Sequence, residues 1–104
     1  MIGLLLLGLA GLLLVDPIPQ DPAYHQFADT RSWLGIQNFF NVVSNLGFAL
    51  VGVFGLVTLI RKPSLFHIPG DARPYLVFFT GVTLIGLGSA FYHWSPSNGS
   101  LLWD

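Results

Sequence analysis

The chain has 104 residues, enough for one small domain. It is 53% hydrophobic and only 9% charged, with a mean hydropathy of +0.68, whereas soluble domains carry roughly 25% charged residues. A net charge of -1 without a basic cluster argues against a nucleic-acid surface, and the lack of cysteine excludes disulfides and thiolate metal sites.

Residues 2–15 (IGLLLLGLAGLLLV) carry no charge. The run is short, since a helix needs roughly 20 apolar residues to cross the hydrocarbon core. It lacks the positive start and small-residue cleavage site of a signal peptide. Residues 1–15 are therefore expected to form an uncleaved hydrophobic anchor, with a signal-like segment as the alternative. Residues 16–38 hold Asp16, Asp21, Asp29 and Arg31 and three early prolines, and read as an irregular loop. Residues 39–60 are again uncharged, and a helix is expected over about 38–60. Arg61, Lys62, Asp71 and Arg73 mark the next loop, 61–74. A further uncharged run begins at 75 and predicts a helix over about 75–94. The prolines fall outside all three apolar runs, as expected of a residue that breaks helix interiors.

These elements predict an all-α, multi-pass transmembrane helical bundle, with a hydrophobic segment at 1–15 and a membrane domain from 16 to 104. Short loops rich in Lys and Arg stay cytoplasmic. Loop 61–74 holds Arg61, Lys62 and Arg73, against Arg31 alone in 16–38. Loop 61–74 is thus expected inside, and 16–38 and 93–104 outside. His25, Asp29, His93 and Asp104 then share one side of the membrane.

The third segment ends in GLGSAFYHW, where Ser89 and His93 are four residues apart and share a helix face with Gly86 close by. A histidine near the end of a span needs protein, water or a metal beside it, and neutral imidazole is a common metal ligand. The same histidine also fits an aromatic belt with Tyr92, Trp94 and Trp103. In the second segment Asn38, Asn41 and Asn45, with Ser44 alongside, form a polar stripe level with Ser89 and His93. Hydrogen bonding between helices accounts for such a stripe without an active site. Glycines 47, 52 and 55 and the pair Gly86/Ala90 suit close helix packing. His25 and Asp29 are i, i+4 if helical, and His25 reads as a solvated loop side chain. His67 is given no role. The chain has no glutamate, P-loop, Rossmann glycine motif, HExxH or G-x-S-x-G elbow.

Three stretches together, FADTRSWLGIQNFFNVVSNLGFALVG (27–52), GSAFYHWSP (88–96) and LLWD (101–104), resemble bacterial membrane proteins of the alkaline ceramidase type. That type belongs to a superfamily of seven-helix membrane hydrolases that includes the adiponectin receptors. The resemblance implies zinc-dependent hydrolysis of a ceramide-like lipid amide, with membrane lipids as surroundings. It implies His93 as a zinc ligand, Ser89 beside the reacting oxygen, and Asp104 orienting or deprotonating the metal-bound water. The family's other two zinc ligands lie on a distal H-x-x-x-H helix, which has no match here, so the chain reads as an N-terminal part of the fold and as inactive alone. Eukaryotic members also hold calcium before the first shared helix. Asp29 and Asn38 are the nearest matches, and the lack of glutamate departs from that pattern. Two other readings stay open: a small non-catalytic membrane protein, such as an assembly or holin-like subunit, and a receptor-like member of the same superfamily.

Overall fold

The computed structural model describes residues 2–16, 18–66, 68 and 70–104. They form α1 (Ile2–Leu14), α2 (Phe39–Arg61), α3 (Ala72–Trp94) and a short α4 (Asn98–Leu101). Pro17, His67 and Pro69 lie outside the described residues. At 1.5 Å per residue α1 is about 20 Å long, and α2 and α3 are each about 35 Å. The hydrocarbon core is about 30 Å thick. Thus α2 and α3 are long and apolar enough to cross a membrane, and α1 is too short to do so upright.

The starts of the two long helices follow from local chemistry. Asn38 sits in the left-handed region (φ 50), which asparagine tolerates, and α2 begins at the next residue. Helix α3 begins at Ala72, earlier than the charge pattern indicates, and takes in Arg73 and Pro74. Proline is accepted in the first turn because its missing N–H has no intrahelical acceptor there. Pro74 thus lies outside the apolar run, as the sequence has it, yet inside the first turn of the helix. Pro22 and Pro63 instead open short 3-10 turns, Pro22–His25 and Pro63–Leu65.

Helices α2 and α3 pack antiparallel, and glycine sets their spacing. Gly52 and Gly55 of α2 and Gly86 of α3 are buried. A Cβ on Gly52 would lie 2.7 Å from the Thr83 amide nitrogen and 2.8 Å from the Phe79 carbonyl. One on Gly86 would lie 2.6 Å from the Ala49 nitrogen. Small residues let membrane helices approach until their backbones touch. Gly47, which the sequence groups with these, differs: a Cβ there meets nothing within 4 Å.

Helix α1 lies beside α3 across an open crevice of ≈ 610 Å³, lined by Leu4, Gly8 and Leu9 on one side and Leu76, Gly81 and Leu84 on the other. The predicted three-helix bundle is therefore one tight pair, α2 with α3, and a loosely apposed α1. The Cα extents are 50 × 33 × 17 Å, and the shortest is that of little more than a single layer of helices. Tyr92, 2% exposed, is the one buried hydrophobic residue among the described residues. Leu46, Leu50 and Phe54 of α2 and Phe78 of α3 are exposed. Contiguous apolar surface of this kind is normally covered by lipid or by another protein.

Candidate functional site

Polar side chains converge where the C-terminal turns of α3 meet the start of α2. Gly86, Ser89 and His93 follow one another along the face of α3 that meets α2, and Ser89 is buried there. Asn38 Nδ2 donates to the His93 carbonyl at 2.9 Å. Asn45 is buried opposite Gly86, whose missing Cβ would crowd the Asn45 carbonyl. The polar stripes of the two helices thus lie at one depth, as their spacing predicts.

The asparagines are committed to backbone acceptors. Only Asn38 bridges to α3. Asn41 Nδ2 donates to the Asp29 carbonyl at 2.9 Å and ties the preceding loop to α2. Asn45 Nδ2 donates to the Asn41 carbonyl within its own helix, also at 2.9 Å.

Above His93 the loop folds back. The Phe27 ring sits 4.5 Å from the His93 ring and meets Tyr92 edge-on at 5.6 Å. His93 Nδ1 is buried and has no hydrogen-bond partner among the described residues. Buried polar atoms are almost always paired, so this nitrogen marks a place for another group.

His25 overturns its reading as a solvated side chain. It closes the 3-10 turn Pro22–His25, and the extended Gln26 that follows breaks any i, i+4 relation to Asp29. His25 Nδ1 lies 2.9 Å from the Tyr92 hydroxyl, and Nε2 lies 3.1 Å from Asn98 Oδ1. The Gln20 amide also donates to Asn98 Oδ1, at 2.8 Å. With that oxygen as acceptor, Nε2 carries the proton and Nδ1 accepts from the tyrosine O–H. The loop is therefore clamped to both sides of the α3–α4 corner. Sequence reasoning missed this network and Phe27. The available signal was Tyr92 itself, because a tyrosine buried beside helix-facing residues needs a partner for its hydroxyl.

After α3 the chain turns sharply. Ser97 Oγ accepts from the Ser100 amide at 3.0 Å, and Ser100 Oγ donates to the Ser95 carbonyl at 2.6 Å. This brings the Trp103 carbonyl against Gly88, where a Cβ has no room. Gly88 is five residues before His93, about 140° around the helix. Asp104 follows Trp103, is exposed, and makes no ion pair with His93 among the described residues. The structure brings Ser89 and His93 together on one face and approaches α3 with Asp104 on another.

Asp29 is held by Arg31, whose Nε donates to Oδ1 at 2.7 Å and Nη2 to Oδ2 at 2.9 Å. The guanidinium lies over the Phe40 ring at 4.5 Å. These hydrogen bonds keep the Asp29 carboxyl below its ordinary range. Both Asp29 oxygens are thereby engaged, and the Asn38 amide nitrogen is spent on His93.

Comparison with family models, curated proteins and solved structures finds no match to this chain. The family reading rests on the motifs of the sequence. Zinc can be tested against the donors themselves. Catalytic zinc takes three protein ligands. Among the described residues no three His, Cys, Asp or Glu side chains cluster for a metal. His25 has both ring nitrogens engaged, which leaves His93 as the single histidine with a free donor atom in this region. The described residues alone do not fit a complete zinc centre.

Proposed function

We propose that this chain is the His93-bearing part of a multi-pass membrane hydrolase of the ceramidase type, which cleaves the amide bond of a ceramide-like lipid. The observation that carries the reading is the buried, unpartnered Nδ1 of His93, one helical turn from buried Ser89. In the reaction the amide C–N bond breaks. Water supplies hydroxyl to the acyl carbon and a proton to the leaving nitrogen, giving a fatty acid and a sphingoid base. An unactivated amide resists attack, and metal assistance is the usual remedy. In this reading His93 is one zinc ligand, and two further ligands come from residues outside the described set. Ser89 would lie beside the reacting oxygen, and Asp104 would orient or deprotonate the attacking water. Loop 61–74 faces the cytoplasm, while 16–38 and 93–104 face the opposite side, where the lipid headgroups and the site lie together.

A second reading is a non-catalytic membrane protein. It is favoured by the structural hydrogen bonds that occupy Asn38, Asn41, Asn45 and His25. One substitution separates the two. In membranes carrying the whole gene product, His93→Ala is expected to remove bound zinc and lipid amide hydrolysis together, whereas His25→Ala leaves zinc in place. Zinc retained at full stoichiometry in His93→Ala overturns the ligand assignment.

A further inference from the structure

Just before α2 the chain makes a tight turn through Trp33, Leu34, Gly35 and Ile36. Trp33 and Ile36 exchange both backbone hydrogen bonds, at 3.1 and 2.9 Å. Leu34 and Gly35 both have positive φ, 53 and 78, the signature of a type I′ turn. The first central position of such a turn favours Asn, Asp or Gly. Leucine there bears the left-handed strain with no side-chain hydrogen bond to offset it. Nor does burial within the chain repay it, since Leu34 is 76% exposed. Trp33 is 58% exposed and rests on Phe39 at 4.9 Å between ring centroids. The fold therefore holds two large apolar side chains outward on a rigid tip.

The place of the tip indicates what covers it. Phe39 is the first residue of α2, so Trp33 is braced level with the first turn of a membrane-length helix. The exposed face of that helix continues from Phe40 through Val43 and Leu46. On the loop side stand the Asp29–Arg31 pair and the Arg31 guanidinium over Phe40. Apolar groups on one side and a fixed ion pair on the other match the boundary between acyl chains and headgroups, where tryptophan is enriched. We propose that the turn at Trp33 and Leu34 is an interfacial anchor that inserts into a lipid bilayer beside α2. The inference rests on the reading of α2 as a membrane span.

The absence of cysteine makes a single-site test direct. Leu34→Cys, Thr30→Cys and Leu50→Cys are each labelled with a nitroxide in the full chain, reconstituted in phosphatidylcholine vesicles. Each label is read for collision with oxygen, which concentrates in hydrocarbon, and with a water-soluble nickel chelate. Leu50 lies midway along α2 and is 70% exposed, so it reports on the span itself. The expected result is oxygen preference at 34 and 50 and nickel preference at 30. Nickel preference at 34 with oxygen preference at 50 overturns the anchor and leaves the span standing. Shielding from both reagents at 34 means that protein covers the tip, which also overturns the anchor. Nickel preference at 50 overturns the span, and the anchor with it.

Discussion

Replacing Gly86 by alanine tests the helix pairing that positions Ser89 and His93. The added Cβ would lie 2.6 Å from the Ala49 nitrogen and 3.0 Å from the Asn45 carbonyl, where ordinary contact begins at 3.4 Å. The shortfall is about 0.8 Å against close-packed backbone, which cannot rotate aside as a side chain can. Helices α2 and α3 must therefore part or slide. Overpacking of this kind costs about 1–3 kcal/mol. Lipid tails are as apolar as the helix faces, so no hydrophobic penalty opposes separation in a bilayer. Gly47→Ala and Gly81→Ala are the controls, because a Cβ at either meets nothing within 4 Å. Those changes should be neutral or stabilising by about 0.5–1 kcal/mol, since alanine restricts the unfolded backbone more than glycine does. The assay is SDS-driven unfolding in mixed micelles, read by energy transfer between labels on cysteines placed at exposed Leu50 and Leu84. An earlier midpoint for Gly86→Ala, with the controls at or above the parent, is the expected result. A Gly86→Ala midpoint equal to that of Gly81→Ala refutes the proposed backbone contact.

Tyr92→Phe removes the hydroxyl 2.9 Å from His25 Nδ1 and leaves that nitrogen unpaired. The cost should be about 1–3 kcal/mol, read as faster hydrogen exchange at the Gln20 amide, which shares Asn98 with His25. Unchanged exchange would show that the clamp does not hold the loop. Gly88→Ala should displace the turn carrying Trp103 and Asp104, seen as a shifted Trp103 indole resonance while the α3 amides before Gly88 hold their positions. For Asp29 the folded carboxyl titrates below its ordinary value because Arg31 hydrogen-bonds the ionised form. The stabilisation is then present above the ordinary carboxylate value and is lost as pH falls through the lowered one. Carbon NMR of the Asp29 carboxyl should show this low midpoint, with Arg31→Gln raising it. A midpoint that ignores Arg31→Gln removes the ion pair from the account.

What could be read from the sequence was local, and what could not was carried by contacts far along the chain. Helices α2 and α3 follow from two uncharged runs, because loss of charge and helical length are properties of adjacent residues. Charge alone sets the start of α3 near residue 75, three residues late, because Arg73 and Pro74 both fit a first turn. Glycine packing was read correctly at 52, 55 and 86 but not at 47, since facing open space or a partner helix depends on rotation about the axis. Ser89 and His93 were paired by a spacing that any helix enforces. His25 was misread because its partners lie 67 and 73 residues away. Leu34 gave no turn signal because leucine has no preference for the left-handed region its turn requires.

The same division bears on what completes the site. Every long-range hydrogen bond here satisfies a group that the sequence leaves open: the Tyr92 hydroxyl, the Asn98 carbonyl, the His93 carbonyl. His93 Nδ1 is the exception. A buried nitrogen without a partner costs about 1–3 kcal/mol, whichever tautomer it carries. Phe27 packs on the ring from the loop side, with the ring centroids 4.5 Å apart. In the proposed reading, a metal held by further ligands would balance that cost.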